Sequence, residues 1–89
     1  MKSTLAQALI ERGVINDNTR IIADCPVRAM GEIPTMVEMT LTVDKAVIKD
    51  GVIWLDASNK SGKIFRVPSE QVKWIDGMNP VRLAAAYDI

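Results

Sequence analysis

"GKIFRVPSEQVKWIDGM", residues 62–78, decides how this chain is read. Gly62 closes a polar turn. Ile64 to Val67 then alternate as a short strand, and Gln71 to Ile75 form a second one. Between them stands Pro68-Ser69, and Asp76-Gly77 ends the stretch. Proline has no N–H to give a ladder, so Pro68 fits the place where a strand stops. The Ser69 hydroxyl can then bond the backbone of the turn that follows. Two short strands joined through so tight a corner predict a small, strongly bent antiparallel sheet.

The flanking segments extend the same pattern. "KAVIKDGVIWLD", residues 45–56, carries Asp50-Gly51 between apolar runs, the signal of a two-residue hairpin. "ASNKSGK", 57–63, is a polar turn. "TMVEMTLTVD", 35–44, has the clearest period of two: Val37, Met39, Leu41 and Val43 face one way, and Met36, Glu38, Thr40, Thr42 and Asp44 the other. "TRIIADCPV" predicts a strand over 19–25 ended by Pro26, and "RAMGEIP", 28–34, a loop punctuated by Gly31 and Pro34. "NDN", 16–18, is a turn.

Both ends read as helices. Residues 4–12 place Leu5, Ala6, Leu9 and Ile10 on one stripe; Thr4 with Gln7 fits a capping box, and Gly13 a left-handed stop. At the other end Asn79 suits an N-cap and Pro80 the first helical position. Met78 and Leu83 have the spacing of a hydrophobic staple, and Leu83, Ala84 and Tyr87 share a face able to dock. The prediction is one mainly β domain over 1–89: a helix at 4–12, a small antiparallel barrel of about five strands over 19–76, and a helix at 80–87.

Residues 66–75, "RVPSEQVKWI", resemble the closing corner of a Src-homology-three-like barrel. In that family an apolar residue, Pro-Ser, two variable residues and Val form one tight helical turn between the last two strands. Val67, Pro68, Ser69 and Val72 match it, with Ile75 in the last strand and Gly62 before the preceding one. The resemblance spans roughly 51–76 and implies barrel shape. Gln71 stands where the peptide-binding members carry a groove tyrosine, so the resemblance does not imply recognition of proline-rich peptides. The same shape serves ribosomal, transcriptional and Sm-like RNA-binding proteins, and fold does not fix function. In size and lack of catalytic motifs the chain is also similar to small accessory proteins of bacteriophages and mobile elements.

Composition narrows the chemistry. Eleven basic residues balance eleven acidic ones, so no global field draws the chain to nucleic acid or an anionic membrane. Zero net charge also leaves little repulsion between copies. Histidine is absent, which removes the commonest general base, the histidine-dependent nucleophiles and most zinc sites. Cys25 is the single cysteine, so no intramolecular disulfide forms. Together with an N-terminus whose apolar residues are interrupted by Gln7, Glu11 and Arg12, this predicts a cytoplasmic protein without a membrane anchor. Glu38 and Asp44 share a strand face but lie about 20 Å apart, too far for an acid–base pair. "DASNKSGK", 56–63, lacks the spacing of a phosphate loop. No catalytic, cofactor-binding or metal-binding set is expected, and no cofactor.

What remains points to interaction. Met36, Trp54 and Trp74 are the candidate contact residues, with Arg66 and Lys73 as a charged rim, because methionine adapts to irregular partners and tryptophan anchors interfaces. The expected function is a non-catalytic protein-interaction module, an adaptor, regulator or inhibitor of a larger assembly. A second expectation is a small RNA- or DNA-binding barrel. Residues 45–75 hold six basic groups against three acidic ones, and Lys60, Lys63, Arg66 and Lys73 with interleaved aromatics would contact the strand. A third is a minor structural subunit, a homo-oligomer joined through an edge strand. Cys25 is expected to be a small buried hydrophobe.

Overall fold

The computed structural model describes residues 1–27, 33 and 35–89. Among these residues the fold is mainly β: five antiparallel strands in one unclosed sheet, with a short helix towards each end. Helix α1 spans Ser3–Glu11; strands follow at β1 (Arg20–Val27), β2 (Thr35–Lys49), β3 (Val52–Ser58), β4 (Ile64–Pro68) and β5 (Val72–Ile75); helix α2 is Pro80–Ala86. The order across the sheet is β4-β3-β2-β1-β5. The loop expected at 28–34 lies, apart from Ile33, outside the described residues.

Strand β2 organises the fold. Its first half pairs with β1, from Thr35 opposite Val27 to Thr42 opposite Arg20. Its second half pairs with β3, and the register slips between Val43 and Lys45. Such a bulge bends a strand and adds twist. One strand thus serves both halves of the sheet and folds them over a shared core. Ile21, Ala23 and Cys25 of β1, Leu41 and Val43 of β2, Ile53, Leu55 and Ala57 of β3, Val67, Val72 and Ile75 are all buried there. Helix α1 covers one side with Ala6 and Leu9, and α2 adds Leu83. The turn at Asp50-Gly51 has both residues at positive φ (52° and 75°), the left-handed pair that a two-residue hairpin requires.

Several sequence expectations are corrected. Pro26 does not end β1, which continues to Val27. Proline is tolerated where its missing N–H would point away from the partner strand. Helix α1 starts one residue earlier than predicted, and no capping box forms: no side chain caps it, and Gln7 Nε2 instead donates to Glu11 Oε1 at 3.0 Å. The side chain that does the local work is Ser3. Its Oγ accepts the Ile53 N–H at 3.2 Å and is bonded to Ser69 Oγ at 3.2 Å. One hydroxyl therefore ties α1 to the start of β3 and to the 3-10 turn Ser69–Gln71. Ser3→Ala leaves the Ile53 N–H and the buried Ser69 hydroxyl short of a partner, and an unsatisfied buried polar group costs about 1–3 kcal/mol. A urea titration is expected to show a lower midpoint with an unchanged slope.

At the C-terminus Asn79 caps α2 as predicted, its side chain accepting the Val81 N–H at 2.8 Å, with Pro80 in the first turn. Leu83 docks, but Tyr87 remains exposed; its carbonyl accepts from Arg12 Nη1 at 2.6 Å. No ladder joins β4 to β5 among the described residues; the turn Ser69–Gln71 alone connects them.

Candidate functional site

Strand β5 decides what the surface offers. Val72 and Ile75 are both buried although three residues apart, which simple alternation forbids. The register explains it: Trp74 opposes Ile22 and Val72 opposes Ala23, so Lys73 is an extra, bulged residue. The bulge turns Lys73 and Trp74 outward together. Trp74 is 41% exposed. A tryptophan ring offers up to about 250 Å² for burial, so about 100 Å² stays in water; at roughly 25 cal/mol per Å² this leaves about 2.5 kcal/mol of burial unrealised.

Trp74 forms one wall of a groove of about 620 Å³. The start of α1 supplies Lys2, Thr4 and Leu5, and the start of α2 supplies Pro80 and Val81. Val81 is 74% exposed. Beyond the indole lies a second, smaller concavity lined by Arg20, Ile22, Thr40 and Asp76. The ring thus stands as a ridge between two hollows, its edges open on both sides.

Lys73 does not extend a free charge over this groove. Its Nζ lies 3.2 Å from Glu38 Oε2 and 3.3 Å from Asp24 Oδ1. Asp24 and Glu38 face each other across the β1–β2 ladder, a like-charge pair that the ammonium holds together. These contacts, Glu38 first and Asp24 second, raise the Lys73 pKa above its ordinary value.

Met36, Trp54 and Arg66 meet elsewhere. They line a notch of about 310 Å³ between β4 and the end of β1, together with Pro26, Phe65 and Pro68. Met36 is exposed, whereas Trp54 is partly buried and its Nε1 finds no hydrogen-bond partner among the described residues. The Arg66 guanidinium is committed to Asp56 through Nε–Oδ1 at 2.8 Å and Nη2–Oδ2 at 3.1 Å. That fork holds the Asp56 carboxylate below its ordinary pKa, with Lys45 at 4.0 Å adding a smaller attraction. A carboxylate depressed in the folded state stabilises the fold above its unfolded pKa, and the contribution fades as pH falls through the folded value. Acid unfolding of Asp56→Asn is therefore expected to depend less steeply on pH than wild type below about pH 4, read by circular dichroism.

The five predicted contact residues thus divide between two places: Trp74 and Lys73 at the groove, Met36, Trp54 and Arg66 at the notch. Of the predicted nucleic-acid set, Arg66 and Lys73 are engaged in ion pairs, and Lys63 sits 5.2 Å over the Phe65 ring. Lys60 is exposed on the β3–β4 turn. Cys25 is fully buried on the core face of β1, and its thiol pKa is raised, first by burial and then by Asp24. Among the described residues no group of three or more His, Cys, Asp or Glu is placed to hold a metal ion, and no helix is long and apolar enough to cross a membrane.

Sequence reasoning missed Leu5, Pro80 and Val81. Their spacing carries no sign that the two helix starts, more than 70 residues apart, flank the same strand. The bulge did leave a sign: Val72 and Ile75 break the period of two, and only an extra residue lets both point inward. No protein-family model, curated protein or solved structure matches the chain.

Proposed function

We propose that this chain is a non-catalytic protein-interaction module whose partner docks in the groove beside Trp74. The observation that carries the reading is the bulge at Lys73, which presents a tryptophan to water on a strand that could otherwise bury it. Interface hot spots are enriched in tryptophan set in apolar concavities. Leu5, Pro80 and Val81 supply such a concavity, and Lys2 gives it a cationic rim. The partner would be a polypeptide segment with a bulky apolar anchor. The role is that of an adaptor, regulator or inhibitor within a larger assembly, as an accessory protein of a mobile element would be, acting in the cytoplasm.

The finer architecture belongs to the same proposal. We read the sheet as a Src-homology-three-like barrel. The supports are the order β4-β3-β2-β1-β5, the bend of β2, and a 3-10 turn at the Pro68-Ser69 corner. Solution NMR tests this part: side-chain nuclear Overhauser contacts of Phe65 and Val67 with Pro26 across the notch they line are expected, without a β4–β1 backbone ladder, and their absence would leave an open sheet.

Affinity capture from the cells that make the protein tests the function. Wild type is expected to retain a protein that Trp74→Ala does not, with Ile48→Ala as a surface control that retains it. Equal retention by wild type and Trp74→Ala would overturn the groove as the docking surface. Binding to single- or double-stranded probes at low salt that weakens steeply as salt rises would favour the nucleic-acid reading instead.

A further inference from the structure

The two edges of the sheet are not equally closed. On β5 the outward backbone of Ile75 is consumed by the turn that follows, with Ile75 N to Met78 O and Met78 N to Ile75 O both at 2.9 Å. The strand has only four residues, and the Lys73 bulge interrupts it. A bulge and a covering turn are standard ways of blunting an edge.

Strand β4 is different. Backbone groups of an antiparallel strand alternate, one residue bonding to one neighbour and the next pointing to the other side. The phase is set at the β3–β4 turn, where Asn59 N donates to Lys63 O at 3.0 Å. Lys63, Phe65 and Val67 therefore bond toward β3. Pro68, which has no N–H, falls on the opposite phase, consistent with its place opposite Trp54. Ile64 and Arg66 then direct both N–H and C=O away from the sheet, and no ladder takes them up among the described residues. Ile64 is also 62% exposed.

We propose that β4 pairs with β4 of a second copy, antiparallel, about a two-fold axis at Phe65. This register places Ile64 of one copy opposite Arg66 of the other, so each outward N–H meets an outward C=O. Lys63 then faces Val67 of the second copy, and no like charges stand directly opposite. The Arg66 charge is already neutralised by the Asp56 fork, so two copies bring little repulsion together. The zero net charge of the chain acts in the same direction. Pro68 at one end and the 59–63 turn at the other limit the pairing to about five residues a side. That is a small interface, below roughly 1,200 Å² in total, and marks a weak, concentration-dependent dimer. No residue of this edge lines the Trp74 groove, so the two surfaces succeed or fail separately.

The test is sedimentation equilibrium together with hydrogen exchange on the same samples. The mass is expected to rise from 9.8 kDa toward twice that value between about 10 µM and about 1 mM. Over the same range the amides of Ile64 and Arg66, fast in the monomer, should slow, while those of Phe65 and Val67 stay protected throughout. Ile64→Pro removes an outward N–H without touching the β3 ladder, and should stay monomeric with an unchanged melting temperature. A mass fixed at 9.8 kDa up to 1 mM overturns the proposal. So does a dimer in which the Ile64 and Arg66 amides remain fast. If Ile64→Pro melts early, the exchange pattern of wild type still decides.

Discussion

Leu55→Ala is expected to lower the unfolding free energy by about 2–5 kcal/mol, the range for truncating a buried leucine. Leu55 is fully buried on β3, paired with Ala46 of β2 on one side and Val67 of β4 on the other. It therefore sits where the bent half of β2 meets the last hairpin. The side chain fills the interior that β2 creates by serving both halves of the sheet, and rigid strands on either side limit collapse into the space left behind. An 89-residue chain has only a small core, so the loss is a large fraction of its total stability. Equilibrium urea unfolding followed by circular dichroism is the measurement. A change under about 0.5 kcal/mol, the range of a surface substitution, would mean that Leu55 is not in the core.

Trp74→Ala should separate binding from folding. Truncating a central interface tryptophan typically costs 2 kcal/mol or more, which is about a 30-fold loss of affinity. The captured partner, titrated by calorimetry against wild type and variant, is expected to show at least that loss. Because the ring is 41% exposed and lies on the outer face of β5, stability should fall far less than for Leu55→Ala. A variant that loses stability as Leu55→Ala does, yet binds as wild type, would make Trp74 a core residue and remove the groove's anchor.

How much of this was legible in the sequence depends on the range of the interactions involved. The Asp50-Gly51 hairpin, the Pro68-Ser69 corner and the Asn79-Pro80 helix start are each present, but the Ser69 hydroxyl bonds Ser3 Oγ rather than the backbone of its own turn. Both halves of strand β2 were legible, 35–44 from its alternation and 45–49 as an arm of the Asp50-Gly51 hairpin, but not their continuity as one strand. Alternation fails at the Val43–Lys45 bulge, where the chain changes partner from β1 to β3. Thr4 and Gln7 had the right spacing for a capping box, but the helix starts at Ser3, so Thr4 lies within the first turn rather than at the cap, and the Ser3 hydroxyl bonds Ile53 and Ser69 instead. The candidate site was half legible. Tryptophan, methionine and lysine could be named as contact residues, whereas their division between a groove and a notch follows from sheet order. Arg66 and Lys73 read as free cations in the sequence; in the fold, cross-strand carboxylates at Asp56, Asp24 and Glu38 occupy them.

The groove is tested most directly by placing a photo-crosslinking amino acid at Val81, on its rim, and at Lys49 near the β2–β3 turn, then irradiating the cells that make the protein. One defined protein adduct is expected from position 81, lost when Trp74→Ala is added, and none from position 49. No adduct at 81, or the same adduct from both positions regardless of Trp74, would rule out the groove as the docking surface.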